Sequence, residues 1–350
     1  MSKSQEPIVS CRGLKKWFSV SAGFFAQLVG GETYLKAVDG VDIDVYPEEL
    51  YCLAGESGCG KTTTGKLLVG LIKPTEGEVI FGGENLDKVS RRRLRQLRAK
   101  MQTIFQDPYS SLNPRLSLYD TIAEPLRLNK IAQDGADEEE RVVRALEAVQ
   151  LVPASDFTFR YPHELSGGQR QRVAIARAIV VNPEFIVADE PVSMLDVSIR
   201  SEILNLLEKI RREFHIAYVY VTHDLSVASY IGDRIAIMYL GKIMEKGTIK
   251  QVIHGSVHPY SQALISAVPS PDPTISRKRK VLPGEPGSPI NTPPGCLFAP
   301  RCEFAQEQCR RDEPLLEELE PGHWVACWFP RAPLRLGFDP ADALKEKAKA

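Results

Sequence analysis

Long hydrophobic runs are missing: no uninterrupted apolar stretch in the 350 residues approaches the ~18 needed to cross a bilayer, which excludes a membrane-spanning helix. The opening Met-Ser-Lys-Ser-Gln-Glu-Pro has no apolar signal core, so the chain is expected to stay in the cytoplasm, free to sit against a membrane partner. Charge of one sign is missing too. Lys plus Arg number 44 against 45 Asp plus Glu, a formal net charge of -1, and nucleic acid is not an expected partner. Cysteine is scarce: seven are too few for a disulfide scaffold, and a reducing compartment argues against bridges. Cys11, Cys52 and Cys59 are scattered, whereas Cys296, Cys302, Cys309 and Cys327 cluster near the C-terminus. What is present is an ordinary globular composition, 43% hydrophobic, with length for a main domain of roughly 200 to 250 residues and something smaller.

The most informative stretch starts at Leu50. Leu50 to Ala54 reads as a buried strand, and Gly55 to Thr62 fits G-x-x-x-x-G-K-[ST] at every fixed position. Glycines let several backbone N–H groups turn inward, and a helix starting near Lys61 adds the positive end of its dipole, giving an anion nest. Lys61 would reach the β- and γ-phosphates of a nucleotide, and Thr62 would offer its hydroxyl to Mg²⁺, a hard cation that takes oxygen ligands. The helix is expected over 63–72, with Leu67, Leu68 and Leu71 on one side.

Before this loop, residues 8 to 46 alternate apolar and polar in short runs, the pattern of half-buried antiparallel strands. Residues 19–36, with Phe24, Phe25, Leu28 and Val29 beside glycines, read as a hairpin or loop insertion. An aromatic residue here would suit stacking on a base; Trp17 is the first choice and Phe18 the second. Beyond the loop, Gly77 to Phe81 reads as a strand, Arg91 to Arg98 as a basic, solvated helix face, and Met101 to Phe105 as a strand ending at Gln106. From Leu118 to about Ala154 the period becomes helical, with Val142, Val143, Leu146 and Val149 in a stripe.

Three further stretches carry polar groups where α/β folds place sites. Leu165-Ser166-Gly167-Gly168-Gln169 precedes a helix expected over 170–181, and two glycines after a serine at a helix start again make an anion site. A simple serine N-cap explains Ser166 but not both glycines and Gln169. Phe185 to Ala188 is a buried strand ending in Asp189 and Glu190, placed respectively to hold a Mg²⁺ water shell and to polarise an attacking water. Ala217 to Val221 is another strand, ending at His223, so Gln106, Glu190 and His223 all leave strand ends beside a phosphate loop. Residues 235–247 read as a hairpin turning near Gly241, prolines and glycines crowd 269–300, and the tail after Pro330 ends in a short Ala/Lys/Glu run expected as a frayed helix.

The C-terminal cysteines are separated by five, six and seventeen intervening residues, matching neither zinc knuckles nor the ferredoxin run. Four thiols on a loop-rich segment with little apolar mass still suggest a soft-metal site. Iron–sulfur, zinc and unmetallated thiols all remain open on the residues alone.

Taken in order, Gly55 to Thr62, Gln106, Leu165 to Gln169, Asp189-Glu190, Asp196 and His223 make residues 8 to about 250 resemble the ATP-binding subunit of an ABC transporter. The resemblance implies an α/β P-loop NTPase core with an N-terminal antiparallel β subdomain, an inserted helical subdomain at about 110–180 and a small cysteine-containing C-terminal extension. It implies nucleotide contacts from Trp17, from Gly55, Ser57, Gly58, Cys59, Gly60, Lys61, Thr62 and Thr63, and from Ser166, Gly167, Gly168, Gln169 and Asp196. Thr62, Gln106 and Asp189 would serve Mg²⁺, and Glu190, His223 and Gln106 the hydrolysis. Met194 stands where alanine is common in the family. Two subunits would pair head to tail, so that Ser166, Gly167 and Gly168 of one hold the γ-phosphate bound by Lys61 of the other, and ATP-driven closure would move the permeases.

A narrower resemblance lies in Phe105 to Arg115 and in His258-Pro259-Tyr260, both similar to the oligopeptide/dipeptide/nickel branch of importers. That branch implies a second ATPase subunit, often unlike the first, two membrane permeases and an extracytoplasmic binding protein, with this subunit on the cytoplasmic face of the membrane. Similar cysteines there hold a four-iron, four-sulfur cluster, which the resemblance carries to Cys296, Cys302, Cys309 and Cys327. The expected division is 1–255 for the ATPase, 256–335 for the extension and 336–350 for a tail. A GTPase would need Asn-Lys-x-Asp, which Asn129-Lys130-Ile131-Ala132 fails; a repair ATPase would show a long coiled coil or basic faces; an exporter often carries fused membrane helices.

Overall fold

The computed structural model describes residues 6–20, 33–268, 282–285, 287–290, 292–334, 339–342 and 344. The insertion expected over 19–36 falls largely outside them, as do most of the proline-rich segment and the tail. Twelve strands are present among the described residues: β1 (Val9–Ser19), β2 (Tyr34–Val45), β3 (Leu50–Gly55), β4 (Glu76–Phe81), β5 (Glu84–Asn85), β6 (Met101–Ile104), β7 (Phe185–Asp189), β8 (Ala217–Thr222), β9 (Arg234–Tyr239), β10 (Lys242–Thr248), β11 (Glu317–Glu320) and β12 (His323–Val325).

The alternating N-terminal segments pair as an antiparallel sheet in the order β2-β1-β4-β5. The continuous apolar runs of β3, β7 and β8 are buried on both faces and form the centre of an eight-stranded sheet, ordered β11-β12-β10-β9-β3-β8-β7-β6. Its central pairs are parallel, so β3, β6, β7 and β8 all deliver their C-terminal ends to one edge. One core lies between the two sheets around Leu53, Leu67, Val187 and Val219, and the other joins the far face to the helices, with Leu118, Ile122, Val142, Leu146 and Val173.

The helix after the phosphate loop is shorter than the expected 63–72. It runs Lys61–Leu68, with Leu67 and Leu68 buried, while Leu71 lies beyond its end and is 47% exposed. Helices over Leu118–Asn129, Gly135–Ala148 and Gly167–Ile179 pack together on the α/β core, each starting at a side-chain N-cap, Ser117, Asp134 and Ser166.

The two C-terminal strands were not anticipated. They extend the main sheet antiparallel through Glu245↔Val325 and Lys246↔Trp324. The join is centred on Glu245, whose fully buried carboxylate accepts hydrogen bonds from Ser256 Oγ (2.7 Å), Val257 N (2.9 Å), His258 N (3.3 Å) and His323 Nε2 (2.9 Å). A buried carboxylate is tolerated only with such a set of donors, and this one fastens the segment after residue 255 to the hairpin before it.

Candidate active site

Between β3 and the helix Lys61–Leu68, the loop curls around a cavity of about 860 Å³. Gly60 has φ 106° and sits against the Ala37 carbonyl, where any Cβ would collide with backbone. Gly58 needs glycine for its φ of 78° alone, since nothing crowds it. Lys61 is buried, and its ammonium donates to the carbonyls of Gly55 and Glu56, both at 2.9 Å. Thr62 Oγ1 donates to Asp189 Oδ1 at 3.0 Å, placing two hard oxygen donors side by side at the loop, as a bound Mg²⁺ requires. Burial raises the Asp189 carboxyl above its ordinary range, and the Glu190 charge adds to this against the opposing pull of Thr62, Lys66 and Lys61.

Glu190, one residue past β7, adopts φ 46°, a conformation a side-chain-bearing residue rarely holds outside a functional or turn position. Its carboxylate is gripped from both sides: Gln106 Nε2 donates to Oε2 at 3.1 Å and His223 Nδ1 lies 3.0 Å from Oε1. The three strand ends thus meet at one carboxylate lining the cavity. Gln106 also donates to Ser193 Oγ, at 3.4 Å, so its amide serves Glu190 rather than Thr62 and Asp189. Such a carboxylate, held but partly accessible beside an anion nest, can orient and polarise water.

Trp17, the first choice for stacking on the base, is not among the residues that line the cavity. Its indole N–H donates to Asp39 Oδ1 at 3.0 Å, and its ring lies between the ammoniums of Lys15 and Lys36. Phe18, on the opposite face of β1, lines the cavity with Leu35 and Ala37 and is 42% exposed. Gly287 and Pro289 also reach this wall, with Lys36 N donating to Pro289 O at 3.1 Å.

Ser166 to Gln169 and Asp196 lie away from this cavity. The helix begins at Gly167, three residues before the expected 170, and Ser166 and Gln169 form a reciprocal capping box (3.3 and 3.0 Å), so the N-cap does account for Gln169. A Cβ on Gly168 would come 2.8 Å from Ile199 Cγ2, which gives that glycine a packing reason. Gly167 has none: its nearest neighbours would be 3.8 and 3.9 Å from a Cβ. What remains is a helix start with Ser166 exposed and Gly167 half-buried, a type of site that suits an anion. Asp196 precedes the helix Val197–Phe214, exposed and without a side-chain cap bond.

Cys296, Cys302, Cys309 and Cys327 line one small cavity, walled by Phe298, Phe304, Trp328 and Phe329. Gly295, at φ 80°, lets the chain cross the Cys309 carbonyl, to which Cys296 N donates at 2.8 Å. Burial raises the thiols of Cys296, Cys302 and Cys327, the last to about 12, and in each a neighbouring cysteine's charge adds to the effect. Among the described residues no three His, Cys, Asp or Glu side chains are arranged to hold a single metal ion.

A parallel sheet delivering a phosphate loop and a clasped carboxylate to one cavity, with a second anion-binding helix start turned elsewhere, defines an ATP-hydrolysing P-loop cassette. Residues 38–193 match the ABC transporter family model, and residues 244–309 match the C-terminal region of oligopeptide/dipeptide transporters. The chain is 44% identical over 327 residues to an oligopeptide transport ATP-binding protein, AppF, of Bacillus subtilis, covering 93% of this chain and 98% of that one. It is 43% identical over 326 residues to the dipeptide transport ATP-binding protein DppF of Haemophilus influenzae, at the same coverages. Among solved structures, the dimeric, ADP- and Pi-bound ATP-binding cassette MJ0796 superposes with a TM-score of 0.60 at 30% identity, over 69% of this chain and 98% of that one. The chain belongs to the ATP-binding subunits of ABC transporters of the oligopeptide/dipeptide branch.

Proposed function

We propose that this ATPase powers the import of di- or oligopeptides. It works as one of two cassettes beneath two membrane permeases, on the cytoplasmic face of the membrane, with an extracytoplasmic binding protein delivering the substrate. The observation that carries the reading is the division of the ATP machinery. Lys61, Thr62, Asp189, Glu190, Gln106 and His223 gather at one cavity, while Ser166, Gly167 and Asp196 face away from it. A second cassette placed head to tail would bring the Ser166 turn to this chain's triphosphate, and closure would then depend on ATP. Among the described residues no helix is long and apolar enough to cross a membrane. The peptide assignment draws on the names of the relatives and on the matched C-terminal region.

In this reading Thr62 and Asp189 hold Mg²⁺ and Glu190 polarises the attacking water. His223 and Gln106 set the Glu190 carboxylate, and Phe18 rather than Trp17 stacks on the base. The units are an ATPase over 1–255, an extension over 256–335 and a tail over 336–350. The four cysteines hold a four-iron, four-sulfur cluster. The cavity that the four cysteines share supports this.

Affinity purification of the chain from its native membrane tests the assignment. Two multi-span membrane proteins and a second cassette are expected, with ATP hydrolysis stimulated by a peptide-loaded binding protein. Recovery of the chain free of membrane proteins, or stimulation by nickel complexes or oligosaccharides alone, would contradict it.

A further inference from the structure

We propose that Arg301, a residue of the C-terminal extension, is a positioning residue of the ATP site: it neutralises Glu56 inside the phosphate loop and holds that loop in the shape that receives the triphosphate. The inference rests on the reading of Gly55–Thr62 as the ATP-binding loop.

Glu56 is an awkward residue to find there. It follows Gly55 directly, so a carboxylate sits in a segment whose task is to attract a polyanion, and an unpaired negative charge would oppose that task. The structure pairs it. The Arg301 guanidinium donates twice to the Glu56 carboxylate, at 2.7 and 3.2 Å, a forked geometry that fixes both charge and orientation. Arg301 is only 8% exposed; its Nε donates to the Pro283 carbonyl at 3.1 Å and its guanidinium lies 5.8 Å from the Tyr239 ring centre. An exposed ion pair contributes little, but this one is half of a buried, shaped contact.

The backbone of Glu56 is held as well. Its amide donates to the Tyr260 hydroxyl at 3.1 Å and its carbonyl accepts from Lys61. Two of these three restraints come from beyond residue 255. Their support is an aromatic cluster, Tyr239 against Tyr260 at 4.8 Å and Phe298 against both at 5.6 and 5.2 Å. Arg301 closes the short turn Ala299–Arg301, and the residues flanking that turn, Phe298 and Cys302, line the cysteine cavity. One rigid turn therefore touches the phosphate loop on one side and the cysteine cavity on the other.

A double-mutant cycle on the full-length protein in its transporter complex tests this by separating KM for ATP from kcat. R301Q is expected to raise KM roughly tenfold, a change of about 1.4 kcal/mol, with kcat within about threefold. In the E56Q background the same R301Q change should move KM by less than about threefold, because no carboxylate remains to be neutralised. E56Q alone removes the charge that Arg301 neutralises and keeps an amide oxygen that can still accept from the guanidinium, so it should leave KM within about threefold. A wild-type KM in R301Q, or an equal rise in both backgrounds, would overturn the proposal and reduce Arg301 to a scaffold of the extension. If R301Q does not fold, R301K takes its place in the cycle: it keeps the charge but not the fork, so a smaller rise in KM that disappears in the E56Q background supports the proposal, and a wild-type KM or a rise that persists there contradicts it. K61A in the same preparation keeps the two readings apart, since wild-type turnover in K61A would fault the ATP site itself.

Discussion

The imidazole of His223 and the carboxylate of Glu190 are joined by a contact of 3.0 Å between Nδ1 and Oε1, with Gln106 holding the other carboxylate oxygen. His223 is exposed and lines the cavity together with Glu190. The histidine fixes where the carboxylate points, and among the described residues no hydrogen bond joins it to the phosphate loop.

H223A should therefore lower kcat by on the order of a hundredfold, the scale of losing a well-placed acid–base partner, with KM for ATP within about threefold. Steady-state kinetics in the assembled transporter read both numbers. A KM that rises in step with the fall in kcat would instead make His223 a binding group.

F18A and W17A distinguish the two faces of β1. Loss of a base-stacking ring at Phe18 should weaken ATP roughly tenfold, as such contacts are worth about 1–3 kcal/mol per base. W17A removes the Asp39 hydrogen bond and a ring between two ammoniums, so it should lower thermal stability and leave ATP affinity within about twofold. Equilibrium titration with a fluorescent ATP analogue reports the first and a melting curve the second; the opposite pattern restores Trp17 as the stacking residue.

The hydrogen bond that His323 donates to Glu245, with Glu320 adding to it, raises the imidazole above its ordinary value of 6.5. A raised histidine pKa gives stability that is fully present below pH 6.5 and is lost as pH rises through the folded-state value. The docking of β11 and β12 should accordingly weaken as pH rises above 6.5. H323Q should flatten that alkaline limb and cost about 3 kcal/mol at pH 6, since it leaves the buried Glu245 short of its charged partner. Thermal unfolding followed by tryptophan fluorescence, to which Trp324 and Trp328 contribute from this region, makes the measurement. An unchanged pH profile in H323Q would contradict the assignment.

Protein purified without oxygen should be brown and contain about four iron and four sulfide per chain, and C302S should lose both. If the proposal holds, removing the cluster should also lower the melting temperature, because it would tie together four points of a segment poor in regular structure. A colourless preparation with one zinc per chain would contradict the proposal.

Much of the site was legible because its parts are local. A glycine loop between a buried strand and a helix, or a strand ending in two carboxylates, is complete within ten residues, and the structure brings Lys61, Thr62, Asp189, Glu190, Gln106 and His223 together as the strand-end argument expects. That Phe18 rather than Trp17 lines the cavity was not legible, for a different reason. Alternation shows that neighbours on a strand face opposite ways but not which way the cavity lies, and β1 shifts its register against β2 between Lys16 and Trp17. Leu71 was assigned to a helix that the chain leaves after Leu68, before Gly70 turns at φ 64°. The C-terminal strands were invisible because Glu317–Glu320 is exposed throughout and shows no alternation. The Arg301–Glu56 contact spans 245 residues, a separation at which no spacing rule operates.

The central claim is that one ATP is shared by two cassettes. The most direct measurement is a structure of the E190Q transporter with Mg²⁺-ATP bound, a variant expected to bind nucleotide but not turn it over. The account predicts a closed pair in which Ser166 Oγ of one cassette lies about 3 Å from a γ-phosphate oxygen of the ATP gripped by Lys61 of its neighbour. A closed, ATP-loaded pair whose Ser166 turns stand well clear of both triphosphates would contradict it.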